Sequence, residues 1–350
     1  MKGERCLIVG PCAAESREQV LETAEQLSDV RDRFSAFHFI FRAGVWKPRT
    51  RPDSFQGAGE AALGWLQEVK ERFGFEVATE VATPEHVEAA IKAGIDYLWI
   101  GARTSANPIA VQAIAAAIAD RCAVRPLHCK TANAVRPAPP AGLLIKNPVN
   151  ADAALWLGNI ERLERTGIPV LAVHRGCSHQ PCWHMAHEVR LARPDIPMLL
   201  DPSHMSGDAA KVPELIKKID ELGLDGAMIE VHAHPEQALS DSEQQITPLA
   251  FSRWLLAKSQ EPRVNSELNW LRAEIDELDD TLWQTIAARM DVSRRIGAWK
   301  KEHHMPPLQP DRYQTMVERI SELANERGLS ADFALRLYDL IHEESINQQQ

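Results

Sequence analysis

Two apolar runs in the second half of the chain each end in a cluster of histidine and carboxylate residues. One run is "LLDPSHMSGD", which begins at Leu199, and the other is "MIEVHAHPEQALSD", which begins at Met228. Ionisable groups gathered at the ends of apolar segments add nothing to stability, because their burial costs desolvation. The arrangement therefore indicates a binding or catalytic site.

Four side chains at the ends of such runs have the chemistry of metal ligands. Cys12 follows the first apolar run, His204 follows the seventh, and Glu230 and Asp241 follow the eighth. Each alone could be structural, as a core cysteine, a hydrogen-bonded histidine or a loop cap. Together, a thiolate, an imidazole and two carboxylates suit a divalent transition ion such as Mn²⁺, Fe²⁺, Co²⁺ or Zn²⁺ better than Mg²⁺ or Ca²⁺. The sequence thus predicts a metal site.

Cationic side chains also follow the apolar runs. They are Arg42, Lys47, Arg49, Arg103, Lys146 and Arg175. Cations around one opening repel one another unless an anion lies between them. Arginine binds phosphate and carboxylate with two parallel hydrogen bonds, so these anions are the expected ligands. A divalent ion beside such a pocket indicates Lewis-acid chemistry on a carbonyl substrate with phosphorylated partners.

The apolar runs alternate with amphipathic segments, a pattern typical of parallel strands joined by helices. The amphipathic segments include residues 18–30, 84–93, 151–165 and 212–222. Eight such units predict a (β/α)₈ barrel, whose chemistry lies at the carboxyl ends of the strands. The predicted strands begin at Cys6, Phe37, Phe75, Tyr97, Leu143, Pro169, Pro197 and Gly226. Each is followed by a charged or reactive residue, with Glu80 at the third.

The bulk composition is that of an ordinary globular enzyme. The chain has 350 residues, 45% of them hydrophobic and 25% charged, and a net charge of −10. An acidic chain argues against nucleic acid or an anionic membrane as its main partner. The first apolar run is too short for a signal peptide, and no run approaches the roughly 18 residues of a membrane span. We therefore expect a cytoplasmic protein without a disulfide framework.

The pattern changes after the barrel. We expect the barrel to occupy residues 1–258, a polar linker 259–265, and a helical domain 266–350. Apolar residues recur at steps of three and four along the first helix, at 268, 271, 275, 278, 282, 286 and 290. Three helices in so short a segment bury little core, so a second copy of the chain is expected to complete it.

The barrel motifs resemble those of 3-deoxy-D-arabino-heptulosonate 7-phosphate (DAHP) synthase, of the short type I-beta. They are "GPCAAES", "KPRTRPDSFQG", "IGARTS", "IKNP", "HRG", "DPSH" and "IEVHAHPEQALSD". The resemblance implies condensation of phosphoenolpyruvate with erythrose 4-phosphate by a divalent-metal enzyme. Mn²⁺ is the first expectation, with Fe²⁺, Co²⁺ and Zn²⁺ as alternatives.

The same resemblance implies roles for individual residues. The metal ligands would be Cys12, His204, Glu230 and Asp241. Phosphoenolpyruvate would bind Arg42, Lys47, Arg103, Lys146 and Arg175, and erythrose 4-phosphate would bind Lys47, Pro48, Arg49 and Thr50. The residues expected to act in catalysis are Lys47, Glu80, Lys146 and His204.

The helical region resembles the all-helical chorismate mutases. The resemblance rests on "LNWLRAEIDELDDTLWQTIAARMDVSRRIGAWK" and "EESINQQQ". It implies a pocket formed by Arg272, Arg289, Lys300, Arg312, Ser345 and Gln349, in which Lys300 and Gln349 are catalytic. Helical geometry places Arg289 and Lys300 on one face but Arg272 roughly 25 Å from Arg289. This separation fits the family's intertwined dimer, in which that arginine comes from the other subunit.

Three alternatives stay open. Lys146 could form a Schiff base as in class I aldolases, although that would leave the metal ligands unexplained. A sister family joins phosphoenolpyruvate to arabinose 5-phosphate on the same barrel, and "KPRT" argues against it here. The helical domain could also be a dimerisation module that senses chorismate or prephenate. Gln309 stands where the mutases usually have Asp, and Tyr313 where some have Glu.

Overall fold

The computed structural model describes residues 5–48, 53–122, 138–178, 180–258, 267–306 and 308–349. Arg49 and Thr50 of the expected aldose phosphate site lie outside the described residues, and so does the expected linker 259–265. The site is therefore described from the remaining predicted residues.

All eight predicted strands are present. The strands are β1 (Arg5–Gly10), β2 (Phe37–Arg42), β3 (Glu76–Glu80), β4 (Tyr97–Ile100), β5 (Gly142–Lys146), β6 (Val170–His174), β7 (Met198–Leu200) and β8 (Gly226–Glu230). The helices of the described residues are α1 (Arg17–Arg33), α2 (Ala61–Phe73), α3 (Pro84–Lys92), α4 (Ala102–Ser105), α5 (Pro108–Cys122), α6 (Ala153–Glu164), α7 (Trp183–Ala192), α8 (Pro202–Ser206), α9 (Val212–Glu221), α10 (Pro248–Lys258), α11 (Glu267–Glu302), α12 (Pro310–Glu326) and α13 (Ala331–Asn347).

The strands form a closed parallel barrel in chain order, which confirms the predicted (β/α)₈ fold. β8 pairs with β1 and closes the ring, with Gly10 opposite Glu230. This register places Cys12, two residues beyond β1, beside the end of β8. Side chains such as Trp99 and Met228 fill the inside of the barrel, so it is a packed core and not a pore. A larger apolar cluster joins the strands to the surrounding helices.

Polar caps begin the helices that follow several strands. Ser16 accepts a hydrogen bond from the backbone N–H of Gln19 at the start of α1, and Thr83 caps α3 in the same way. Such caps satisfy backbone donors that have no partner within the helix. At α8 the cap is Asp201, which accepts from the backbone N–H of His204. The cap of α8 is therefore also a neighbour of a predicted metal ligand.

The chain divides into two compact units, Met1–Glu274 and Ile275–Gln350. The first two turns of α11 belong to the first unit because they pack on the barrel helices. Trp270 is buried there, stacks on His187 and donates its indole N–H to the carbonyl of Leu222 at 3.1 Å. The expected domain boundary at residue 266 stays a prediction. No described helix combines the length and apolar character needed to cross a bilayer.

Candidate active sites

Three of the four predicted metal ligands come together where β1 and β8 end. The Cys12 sulfur and one carboxylate oxygen each of Glu230 and Asp241 lie within 4.8 Å of one another. The buried Cys12 thiol donates to Asp241 Oδ2 at 2.8 Å. Such separations suit ligands around one ion with bonds of about 2.0–2.3 Å. Among the described residues, no other group of His, Cys, Asp and Glu side chains is placed in this way.

The fourth predicted ligand, His204, lies next to this group. Its Nε2 is 3.6 Å from Glu230 Oε1, and its Nδ1 is 2.9 Å from Asp201 Oδ2. Asp201 is fully buried and also accepts a hydrogen bond from Lys146 Nζ at 2.6 Å. A carboxylate on the far nitrogen of a ligating histidine fixes its tautomer and ring orientation. Asp201 therefore positions both His204 and Lys146.

Arg42 is a buried cation next to the predicted metal ligand Glu230. Its side chain is fully buried, and its Nη2 donates to Glu230 Oε1 at 3.2 Å. The guanidinium also lies 4.7 Å from the centre of the Trp99 ring. Its Nε and Nη1 atoms are buried without a hydrogen-bond partner among the described residues. Buried donors without partners are rare in folded proteins, so these atoms indicate a bound anion.

Trp99, the ring on which Arg42 packs, lines a cavity of about 410 Å³. Predicted site residues from seven of the eight barrel strands, or from the segments after them, reach it. Those lining the cavity are Lys47, Pro48, Glu80, Arg103, Lys146, Arg175, His204 and Asp241. Lys47 Nζ lies 3.6 Å from Glu80 Oε2 and donates to the carbonyl oxygen of Cys12 at 3.2 Å. The cavity thus has a size suited to a small ligand and a cationic lining.

Burial and close ion pairs shape the electrostatics of the site. Burial raises the pKa of the Cys12 thiol, and the charge of Glu230 raises it further. Burial also lowers the pKa of Lys146, more than the neighbouring Asp201 raises it. Burial alone would raise the pKa of Asp201. The neighbouring His204 and Lys146 outweigh burial and hold that pKa well below its ordinary value. Burial is the largest cause of the lowered Lys146 pKa, and the charge of Arg42 acts in the same direction.

Sequence reasoning missed several residues that support the ligands. Gln244 Nε2 donates to Glu230 Oε2 at 2.7 Å, and the side-chain carbonyl of Gln245 accepts from the backbone N–H of Cys12 at 3.0 Å. Asn147 Oδ1 accepts from the backbone N–H of Arg175 at 2.7 Å. Asp201 could have been found, because it lies within the "DPSH" motif beside His204. The two glutamines are separated in the sequence by more than 200 residues from Cys12 and carry no such signal.

The second unit brings together four of the predicted mutase residues. Lys300 Nζ donates to Gln349 Oε1 at 3.0 Å, and both side chains are buried. Arg289 donates to the hydroxyl of Ser345 and, at 3.4 Å, to the carbonyl of Ile341. Two cations of α11 therefore face hydrogen-bonding groups of the last helix, a combination that suits an anionic ligand.

The other two predicted mutase residues are not part of this group. Arg312 is exposed in the first turn of α12. Arg272 is exposed on the part of α11 that belongs to the first unit. A pocket built from a single chain therefore lacks the contribution that the resemblance assigns to Arg272.

Comparison with known proteins identifies both parts of the chain. Residues 2–125 and 144–263 match the DAHP synthetase I family, and residues 271–350 match chorismate mutase type II. A "Phospho-2-dehydro-3-deoxyheptonate aldolase" of Thermotoga maritima is 30% identical over 247 residues, which span 69% of this chain but only 64% of that protein. A solved DAHP synthase structure from the same organism superposes with a TM-score of 0.59 at 25% identity, covering 73% of this chain and 68% of the other.

Two further relatives bear on substrate choice. A "4-amino-4-deoxychorismate mutase" of Streptomyces venezuelae is 41% identical over 76 residues, or 22% of this chain and 74% of that protein. A "2-dehydro-3-deoxyphosphooctonate aldolase" of Desulfatibacillum aliphaticivorans is 27% identical, covering 69% of this chain and 86% of the other. The chain belongs to the DAHP synthetase I family and carries a chorismate mutase type II domain at residues 271–350.

Proposed function

We propose that this chain is a bifunctional enzyme of the shikimate pathway. Its barrel condenses phosphoenolpyruvate with erythrose 4-phosphate to give DAHP and phosphate, and its helical domain rearranges chorismate to prephenate. The observation that carries the first activity is the cation-lined cavity, which Asp241 lines while it also belongs to the group with Cys12 and Glu230. The second activity rests on the four polar residues clustered on α11 and at the end of the chain.

The family is generally dependent on a divalent metal ion. Cys12, Glu230, Asp241 and His204 offer a sulfur, two carboxylates and an imidazole to such an ion, for which we propose Mn²⁺ first and Fe²⁺, Co²⁺ or Zn²⁺ as alternatives. When bound, the ion would polarise the aldehyde of the aldose phosphate. Metal binding requires the thiolate, so Cys12 would give up the proton that it now donates to Asp241.

The cations of the barrel hold phosphoenolpyruvate and compensate its charge. Lys146, Arg103 and Arg175 line the cavity, and Arg42, with two buried donors unpaired among the described residues, packs on the lining residue Trp99. C3 of phosphoenolpyruvate forms the new bond to the aldehyde carbon, water adds at C2, and the C2–O bond to phosphate then breaks. Fixed cations around the phosphate stabilise the charge that develops during these steps.

Lys47, Glu80 and Pro48 form the side of the cavity proposed for the aldose phosphate. Lys47 is held by Glu80 and by the carbonyl of Cys12, so its ammonium has a fixed place next to the metal ligands. Arabinose 5-phosphate is the second candidate, since the Desulfatibacillum relative is named a 2-dehydro-3-deoxyphosphooctonate aldolase. The "KPRT" sequence supports erythrose 4-phosphate.

Lys146 is an unsuitable Schiff-base nucleophile in this arrangement. Its ammonium is 2.6 Å from the Asp201 carboxylate, a separation typical of a strong charge-assisted pair. Burial lowers the pKa of Lys146 despite this pair, but a Schiff base would leave the metal ligands without a role. The proposal therefore assigns Lys146 to binding and charge compensation.

In the helical domain, Arg289 binds a carboxylate of chorismate, and Lys300 with Gln349 stabilises the ether oxygen as its bond breaks. We propose that Arg272 comes from a second copy of the chain, which also covers the exposed apolar side chains of α11 such as Leu278 and Leu282. The cytoplasmic location stays a prediction.

Phosphate release tests the synthase. The full chain is assayed with phosphoenolpyruvate and each of the two aldose phosphates, with and without a chelator. Release with erythrose 4-phosphate should be the faster and should stop with chelation. Cys12→Ala should lower the rate by more than about 100-fold by removing a metal ligand, whereas Cys6→Ala, within β1, should retain the wild-type rate. Activity that survives both chelation and Cys12→Ala would refute the metal site.

Chorismate conversion tests the helical domain. Lys300→Ala removes a buried cation beside Gln349 and should lower the rate by at least about 100-fold, as expected for loss of a group that stabilises transition-state charge. Lys301→Ala, its exposed neighbour, should have no effect. A chain that binds chorismate but does not convert it would instead be a sensor.

A further inference from the structure

One histidine of the second unit extends the polar face that carries Ser345 and Gln349. His342 precedes Ser345 by three residues and Gln349 by seven, so the three side chains share a face of the last helix and its end. Ser345 accepts from Arg289 and Gln349 accepts from Lys300. His342 therefore lies about one helical turn from Ser345, the partner of Arg289, and about two turns from Gln349, the partner of Lys300.

The imidazole of His342 has a hydrogen-bonding atom without a protein partner. Its Nε2 is buried and has no partner among the described residues. Burial, together with the charges of Arg289 and Lys300, lowers the pKa of the ring and favours its neutral form. A neutral imidazole nitrogen donates or accepts one hydrogen bond according to the tautomer. Since buried polar atoms are rarely left unsatisfied, Nε2 points to a missing ligand group.

The ring of His342 also lines a cavity of about 460 Å³, large enough for a small molecule. Tyr313 lies beside it, with the two ring centres 4.9 Å apart, and Tyr338 stacks on it at 5.8 Å. The Tyr313 hydroxyl is already committed to Asp339 Oδ1 at 2.6 Å. These contacts hold the ring at the edge of this cavity, which Arg289 and Lys300 do not line, while the charges of both cations act on the ring.

We propose that His342 contacts the substrate of the mutase domain, with Nε2 hydrogen-bonded to the ring hydroxyl of chorismate. The inference rests on the proposed mutase function. Arginines match the two carboxylates, and Lys300 with Gln349 matches the ether oxygen. The ring hydroxyl is the polar group that remains, and an uncharged imidazole is a suitable partner for it. His342 would thereby distinguish a hydroxyl from an amine at that ring carbon.

The test compares two substrates that differ only at that group, chorismate and 4-amino-4-deoxychorismate. Wild-type full-length chain, His342→Leu and His342→Gln are assayed with both. His342→Leu should lower kcat/KM for chorismate about 10- to 100-fold, chiefly through KM, because it removes a substrate contact. The ratio of kcat/KM for chorismate to that for the amino compound should fall at least about fivefold. His342→Gln, which retains a hydrogen-bonding group, should recover most of the ratio.

The controls separate this role from a structural one. His303→Leu changes an exposed histidine of the same unit and should leave both substrates unaffected. Equal losses for the two substrates in His342→Leu, without recovery in His342→Gln, would overturn the inference. Unchanged kinetics in His342→Leu would overturn it as well. If the wild-type chain converts neither substrate, the proposed mutase function itself fails, and the inference fails with it.

Discussion

At the scale of single residues, Arg42 shows how the fold prepares a binding group. Its guanidinium is fully buried, is held by Glu230 and Trp99, and keeps two donors that lack a partner among the described residues. Arg42→Lys preserves the charge but removes the planar fork that binds phosphate or carboxylate at two points. We expect the KM for phosphoenolpyruvate to rise about 10- to 100-fold. Steady-state kinetics measures this, and the exposed Arg72→Lys should behave as wild type.

The burial of His174 makes the stability of the barrel depend on pH. The side chain is fully buried between Trp156 and Trp183, and its Nε2 is 2.6 Å from the carbonyl oxygen of Pro181. Burial is the main cause that lowers its pKa from 6.5 to about 4. Above pH 6.5 the histidine is neutral in both states, so its contribution is fully present. As the pH falls from 6.5 toward about 4, the unfolded chain takes up a proton that the folded chain does not, and stability is lost.

The expected loss between pH 7 and pH 5 is about 2 kcal/mol. Urea unfolding at the two pH values measures it. In His174→Phe the pH-dependent loss should be smaller by about that amount, whatever the effect of the substitution at pH 7. His303→Phe, an exposed control, should keep the wild-type difference. An unchanged pH dependence in His174→Phe would contradict the assignment.

The residues that could be predicted from sequence are those that belong to local motifs. Cys12 follows the first apolar run, Glu230 ends the last one and Asp241 lies in the loop beyond it, and a closed barrel brings the first and last strands together. Gln244 and Gln245 were missed because a glutamine in a loop shows no pattern until the fold places it beside a ligand. The contact between Arg42 and Trp99 was missed for the same reason, since it joins strands that are not neighbours.

At the scale of elements, strand packing imposes a backbone constraint close to the site. Gly10 ends β1 with a φ of +147°, and a Cβ there would clash with the carbonyl of Arg42. Gly10→Ala should therefore destabilise the barrel by about 1–3 kcal/mol and lower synthase activity, because Arg42 and Cys12 must shift. Thermal unfolding and phosphate release measure the two effects.

Gly64 provides the matched control. It lies in helix α2 with open space where a Cβ would lie, so the methyl group of Gly64→Ala clashes with no other atom. Alanine is the better helix former by about 1 kcal/mol, so this variant should be as stable as wild type or slightly more so. If both alanine variants behaved alike, the clash at Gly10 would not determine stability.

At the scale of the whole chain, the sequence predicted two kinds of architecture from two periodicities. The alternation of strands and helices specified the barrel, and the steps of three and four along α11 specified a long helix. The end of the barrel unit was harder to predict, because Trp270 and Glu274 lie within the same helical pattern as the residues after them. Glu274 Oε1 lies 2.6 Å from His187 Nδ1, so these turns pack on the barrel, and the boundary expected at residue 266 stays a prediction.

The apolar face of α11 leads to the last prediction. Ile275, Leu278 and Leu282 recur at helical spacing, and Leu278 has 67% of its surface exposed. A row of exposed apolar side chains usually marks an interface.

If a second copy covers this row, Leu278→Lys with Leu282→Lys should give a monomer in sedimentation measurements, because lysine keeps the helix but places charge in the interface. Mutase activity should fall when the dimer is lost, since Arg272 of the second copy would no longer reach the pocket. The control pair Leu191→Lys and Leu249→Lys changes exposed leucines of α7 and α10, each 61% exposed. The interface would lie elsewhere if the control variant also became monomeric, or if the Leu278→Lys, Leu282→Lys variant stayed dimeric.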